Sequence, residues 1–384
     1  MKIMTTKNYF RILPIIFSAL FFNFHAYASE IITIKLYDGE MLTGKLSLPT
    51  NTENIKELII FIHGTGPATY DEHRKMSNIE FNYFDLYVNE FNNRGIAFFA
   101  YNRRGVSLGT TPPFYDSIDK IKYQKYLPSN EVKDIGTVID ALKNDKRLQH
   151  AKIVLLGWSE GTILAAMAAD TKKSKVDALF LAGYCNENMF DIIKWQYSGE
   201  PSMLNIKKYF DTNNDDIINR QEYESKEKAP TSFRSGAFKN AKFTDLDLNK
   251  DSIINSEDFK LINSKKYAAI LNAYEKNDSD WIWNNYFRIT VNWLSEHFKL
   301  EPNKTRLPRL KIPIYIFQGE DDANTSVKGV YEIEKLFSEK QKSNLHIFVF
   351  KEHDHDLNYL DFPKKKEISE GIKKIFDISQ NFNK

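Results

Sequence analysis

The sequence predicts an α/β fold, a mainly parallel, doubly wound sheet of eight strands interrupted by a helical cap insertion. Three observations lead there. Short β-branched and apolar runs alternate with helix-period segments along most of the chain. The alternation stops between about residues 186 and 305 and then resumes. A chain of 384 residues, 42% of them hydrophobic, is long enough for one large sheet domain plus an insert.

The strand candidates are residues 31–36, 42–48, 58–62, 96–101, 153–156, 176–181, 314–317 and 346–350. Between them, 130–144 places Val132, Ile135, Val138, Ile139 and Leu142 on one helical stripe, with Asn130 as its expected cap. Residues 160–169 form a second helix candidate, whose Ala165, Ala166, Ala168 and Ala169 are small enough to lie close on a sheet. The resulting division is 29–185 and 306–384 for the sheet domain and 186–305 for the insert. Trp195, Trp281, Trp283 and Trp293 in the insert serve either its own small core or a cover over a substrate, and both readings stand at this stage.

Residues 1–28 read as an export signal. Lys2, Lys7 and Arg11 precede an apolar stretch from 12 to 24, and Ala26 and Ala28 predict cleavage before Ser29. The stretch contains Pro14 and Asn23 and is shorter than the ~20 apolar residues that span a bilayer, so no membrane span is expected after cleavage. A periplasmic or secreted location follows. The net charge of +2 gives no field pointing to nucleic acid. Cys185 is the sole cysteine, which excludes an intrachain disulfide and a zinc-thiolate site.

Gly157-Trp158-Ser159-Glu160-Gly161 stands directly after the run 153–156 and directly before a helical pattern. That context is the strand–turn–helix elbow, where flanking glycines let a serine sit in a tight turn with its hydroxyl exposed. A serine hydroxyl needs a base, and the base needs a group to hold its tautomer. Downstream strand ends offer both: Glu320, Asp321 and Asp322 after 314–317, and His353 and His355 after 346–350. The chosen set is Ser159, Asp322 and His355, although spacing alone leaves Asp321 and His353 open. The stretch Phe61-Ile62-His63-Gly64-Thr65-Gly66-Pro67 follows an earlier strand and, with the elbow, predicts an oxyanion hole made by the backbone amides of Thr65 and Glu160. His63 is expected to brace this loop, and Arg103 and Arg104 to hold the loop after the fourth strand, with binding of an anionic substrate group as their alternative role.

These motifs, together with Tyr101-Asn102-Arg103-Arg104-Gly105-Val106, resemble the α/β-hydrolase superfamily, and within it bacterial carboxylesterases close to the serine aminopeptidase-like branch. The resemblance covers about 56–356 outside the insert. It implies ester hydrolysis of a small acyl substrate through an acyl-enzyme, with an aminopeptidase-like amide hydrolase as the alternative. Trp158 stands where such chains often carry histidine, and Thr162 where a second glycine is common.

The insert carries a separate signal at about 200–262. Asp211, Asn213, Asp215, Asn219 and Glu222 occupy positions one, three, five, nine and twelve of an EF-hand calcium loop, with Ile217 offering its carbonyl at seven. Asp247, Asn249, Asp251, Ile253, Asn255 and Asp258 repeat the arrangement 36 residues downstream. Two loops so spaced are expected to pair through position eight, Ile218 and Ile254. Position six is Asp216 in one and Ser252 in the other, in place of glycine, and Asp258 is shorter than the usual glutamate. Weak structural Ca²⁺ sites, on the order of 10⁻⁴ to 10⁻³ M, are expected, tighter in the first loop. Duplicated loops of this kind also fit a calcium-dependent attachment module resembling dockerins, which normally lie at chain ends.

Overall fold

The computed structural model describes residues 28–53, 55–171 and 175–382. Apart from Ala28, the expected export signal lies outside the described residues. No helix among the described residues is long and apolar enough to cross a membrane.

One eight-stranded sheet organises the molecule: β1 (Ala28–Lys35), β2 (Met41–Leu48), β3 (Glu57–Ile62), β4 (Ala97–Tyr101), β5 (Lys152–Trp158), β6 (Ala178–Ala182), β7 (Ile314–Gly319) and β8 (Leu345–Phe350). Its order is β1-β2-β4-β3-β5-β6-β7-β8. β2 runs antiparallel to both neighbours, and the remaining pairs are parallel. Each of the eight predicted runs overlaps one of these strands, with ends that differ by up to two residues at 36, 96 and 176–177. β3, β4 and β6 are buried along their whole length, as expected for strands covered on both faces.

The main helices are α1 (Phe84–Asn93), α2 (Pro128–Lys143), α3 (Glu160–Asp170), α4 (Met189–Gln196), α5 (Glu200–Phe210), α6 (Ser256–Glu275), α7 (Val291–His297), α8 (Val327–Glu339) and α9 (Glu370–Asn381). One face of the sheet packs with α2, α3 and α8, through residues such as Ile139, Ala166 and Ile333. The other packs with α1 and α9, through Tyr87, Phe91 and Phe376. In α3 residues 161–166 and 168 are buried, so the small alanines do let this helix settle against the sheet.

The predicted cap at Asn130 is corrected. α2 begins two residues earlier, with Pro128 inside its first turn and Leu127 at the boundary. Proline has no N–H to lose there and its fixed φ suits the position. The Asn130 side chain instead donates to Lys125 O and accepts from Tyr37 Oη. Two short antiparallel pairs outside the sheet, His73–Met76 with Ile79–Asn82 and Val106–Leu108 with Asp116–Ile118, lie in segments where no strand was predicted.

The chain leaves the sheet after Ala182 and re-enters it at Ile314. The intervening helices form two apolar clusters. One joins Trp293, Ile282 and Ile289 to Ile163 and Tyr126 of the sheet domain. The other gathers Phe210, Tyr223, Leu246 and Phe259 around the two acidic loops. Between those loops Ile218 pairs with Ile254 in a two-stranded antiparallel ribbon, the register that position eight requires.

Candidate active site

β5 delivers its last residue, Trp158, into a turn that places Ser159 at φ 56° and ψ −123°. A non-glycine residue so placed costs about 1–3 kcal/mol and persists only where its surroundings hold it. Here Ser159 N–H donates to Ala182 O at the end of β6, and its carbonyl accepts from Thr162 N–H and Thr162 Oγ1, each 2.8 Å away. Thr162 also accepts from Cys185 N–H, so the hydroxyl that replaces a glycine ties the elbow to the following loop. The close approach of the backbones requires glycine at 161: a Cβ there would lie 2.0 Å from Ile62 O.

The predicted acid and base meet. His355 Nδ1 lies 2.8 Å from Asp322 Oδ2. Asp322 is fully buried and accepts four further hydrogen bonds: from Asn324 and Thr325 N–H at Oδ1, and from Thr325 Oγ1 and Gln318 Nε2 at Oδ2. Because a carboxylate only accepts, Nδ1 carries the proton and Nε2 is the nitrogen left to receive one. Burial opposes charge on both groups. The partner's charge and the hydrogen bond outweigh it, lowering the Asp322 carboxyl below its ordinary range and raising His355 to about 9. His353 takes no part in this pair; its Nδ1 contacts Lys351 O. Asp321 and Glu320 use their backbone N–H groups to join their loop to His353 O and Phe350 O.

Ser159 and His355 line the same cavity of about 300 Å³, together with Thr65 and Gly64 of the loop after β3. A Cβ at Gly64 would stand 3.3 Å from Ser159 Cβ, so the two loops nearly touch. The insert contributes Met189, Ile192, Gln196, Tyr286 and Phe287 to the wall. Trp158 spans the site on another side, donating from Nε1 to His355 O at 3.2 Å.

The bracing groups behave as their sequence positions implied. His63 is buried beside Tyr101 O, 2.7 Å from Nε2; burial, reinforced by the Arg103 charge, lowers it to about 3, so it stays neutral. Arg103 donates to the carbonyls of His63, Gly64 and Gly66. Arg104 pairs with Asp134 and Asp38.

Sequence reasoning missed Gln318 and Thr325 around Asp322, and the role of the Glu160 side chain. Glu160 is fully buried and accepts from Tyr126 Oη, Trp293 Nε1 and His297 Nε2. A charged residue immediately after an elbow serine was the available signal.

The acidic loops lie in the insert, on the cluster around Phe210. Asp211 Oδ1 and Oδ2 accept from the Asp215 and Asp216 amides, and Asp215 Oδ1 accepts from Ile217 N–H. Asn249 and Asp251 turn the second loop in the same way, and Ser252 N–H reaches Asp247 Oδ2. Glu222 and Asp258 cap the helix starts at Asn219 and Asn255. Positions four and six of both loops are left-handed, at Asn214, Asp216, Lys250 and Ser252. Ser252 thus adopts the left-handed conformation that glycine usually supplies at position six. Among the described residues, no three His, Cys, Asp or Glu side chains are drawn close enough to enclose an ion.

A sequence model of the family described as alpha/beta hydrolase fold matches residues 57–353. The chain belongs to that family. This α/β hydrolase is similar in structure to a Mycobacterium tuberculosis puromycin-hydrolyzing peptidase, with 11% identity, a TM-score of 0.50 and coverage of 93% of this chain and 39% of that one. It is also similar to Pyrococcus horikoshii acylaminoacyl peptidase (12% identity, TM-score 0.49, 94% and 42% covered). A thermostable carboxyl esterase from Bacillus coagulans shares 15% identity at a TM-score of 0.46, with 92% and 98% covered. The α/β hydrolase thus spans less than half the length of the two peptidases. No curated protein matches its sequence.

Proposed function

We propose that this α/β hydrolase is a serine hydrolase that cleaves small carboxylic esters through an acyl-enzyme. The observation that carries the reading is the 2.8 Å contact of His355 Nδ1 with the buried Asp322, on the wall of a cavity that also holds the strained Ser159. In the first step Ser159 Oγ attacks the acyl carbonyl while Nε2 of His355 takes its proton. Negative charge developing on the carbonyl oxygen meets the backbone N–H groups of Thr65 and Glu160. The tetrahedral intermediate collapses as His355 gives the proton to the departing alkoxide. A water molecule then repeats the sequence and frees the acid and Ser159.

The cavity wall favours an apolar acyl or alkyl group, with Phe84, Trp158, Met189, Ile192 and Tyr286 around it. Of the two carboxylates on this wall, Glu72 and Asp356, Glu72 is already bonded to Arg74 and the Thr69 amide. Purified Ser159→Ala protein is expected to lose about 10⁶ of its turnover on p-nitrophenyl butyrate. Parental activity in that variant would remove the assignment.

The insert is proposed to bind two Ca²⁺ ions. Its donor set is all oxygen, the left-handed turns at positions four and six are in place, and Ile218 pairs with Ile254. Asp247 Oδ1 is buried without a hydrogen-bond partner, which suits an oxygen reserved for a cation. Asp211, Asn213, Asp215, the Ile217 carbonyl and Glu222 would hold one ion; Asp247, Asn249, Asp251, the Ile253 carbonyl and Asp258 the other. The ions would offset mutual repulsion among the carboxylates, and the chemistry at Ser159 needs neither. Export by way of residues 1–28 is also part of the proposal, supported by their charge and apolar pattern. A mature chain whose mass does not begin at Ser29 would argue against it.

A further inference from the structure

The residue after the nucleophile buries a carboxylate that the reaction itself does not use. Charge in a dry interior is costly unless it is met by partners, and Glu160 is met by three. Tyr126 Oη donates to Oε2 from the sheet domain, while Trp293 Nε1 at 3.0 Å and His297 Nε2 at 2.8 Å both reach Oε1 from α7 of the insert. All four side chains are buried. Burial works against the Glu160 charge, yet His297, Arg103 and Tyr126 together keep it below the usual carboxylate range. Apolar side chains would hold α7 to α3 without this cost, so packing alone does not account for the arrangement.

The same network reaches the other side of the proposed oxyanion hole. The Arg103 guanidinium stacks on the Tyr126 ring, 4.0 Å from its centroid. Arg103 then donates to the carbonyls of His63, Gly64 and Gly66, the peptides that flank Thr65. A second tie from the insert lies nearby: the Asn303 side chain donates to Thr162 O and Cys185 O.

We propose that Glu160 is a positioning residue, whose buried side chain, clamped by Trp293 and His297 of the insert and by Tyr126, aims its own backbone N–H and, through Tyr126 and Arg103, the Thr65 loop at the substrate oxygen. The insert is therefore part of the catalytic frame as well as a wall of the cavity. The inference rests on Ser159 being the nucleophile. An oxyanion donor acts most strongly on the transition state, so misaiming it lowers kcat and leaves ground-state binding largely intact.

The test uses the full mature chain, p-nitrophenyl butyrate and a fluorophosphonate that reports Ser159. Glu160→Gln keeps the shape and removes the charge, and Trp293→Phe keeps the ring and removes a single donor. In Glu160→Gln, kcat is expected to fall about 10- to 100-fold with KM within about twofold, and fluorophosphonate labelling to slow in parallel. Trp293→Phe is expected to move the same two quantities less, and it decides the matter if Glu160→Gln does not fold. Unchanged kcat in a folded variant, or a change confined to KM, overturns the clamp while the nucleophile assignment stands. A parent protein that neither turns over the ester nor labels at Ser159 overturns the nucleophile assignment, and the clamp falls with it.

Discussion

His355 Nδ1 donates to Asp322 Oδ2 across 2.8 Å, and Asp322 is shut off from solvent while the imidazole still borders the cavity. That asymmetry makes the pair sensitive to alkali. In the proposed reaction His355 must be neutral at Nε2 to take the serine proton, and its folded value is raised to about 9. The expected outcome is a kcat/KM that climbs through neutral pH and levels off only near pH 9. Stability should move the other way. A raised folded value means that the pair's contribution is full below the unfolded histidine range, ~6.5, and is lost as pH rises through about 9. The Asp322 side, with its value lowered, contributes fully above its unfolded range and loses that contribution as pH falls through the lowered value. Rate profiles between about pH 5 and 10 check the alkaline limb, and melting temperatures carried down to about pH 2 check the acid limb as well; a rate plateau already complete at pH 6.5 contradicts the pairing.

Gly183 offers a way to displace the proposed base, His355, without touching it. It sits at φ 56°, and a Cβ there would lie 2.7 Å from His355 Cε1. Gly183→Ala is expected to lower kcat about 10- to 100-fold by pushing the ring out of line, with the far-UV circular dichroism unchanged. Full activity in a folded variant would show that the ring has room to move without cost.

Calcium is expected to raise the melting temperature by mass action on the folded chain, by ~2.7 kcal/mol of stability for each site held at 100 times its dissociation constant. The helix α6, which begins at the end of the second loop, packs against the junction of α4 and α5. At that junction Gly199 has φ 92°, and a Cβ would meet Ser256 O at 1.9 Å. Gly199→Ala should lower the melting temperature by ~3 °C or more and shrink the increment that calcium adds. Scanning calorimetry in chelator and in about 10 to 100 mM calcium, 100 times the expected dissociation constants, measures both. No shift in the parent protein between the two conditions would end the calcium reading.

Much of the sheet and of the candidate site was legible because the signals are local. β3 and β4 are apolar runs, the elbow is five consecutive residues, and each acidic loop is twelve. The two short hairpins at 73–82 and 106–118 carried no such pattern, because their strands of three or four residues are too short and too polar to show a period. At α2 the helix starts with Pro128 in its first turn, ahead of the expected cap at Asn130.

By itself the sequence determined the order of strands along the chain, the turn that carries Ser159, the pool of acids and histidines behind it and the oxygen-rich spacing of the two loops, since each follows from near-neighbour geometry. Only the tertiary structure decided that Asp322 meets His355 and not His353, and that Glu160 is gripped by Trp293 and His297 from more than 130 residues away. The physical reason is that these contacts belong to no period. They depend on how the insert folds back over the sheet, where a buried carboxylate must find donors wherever the chain happens to bring them.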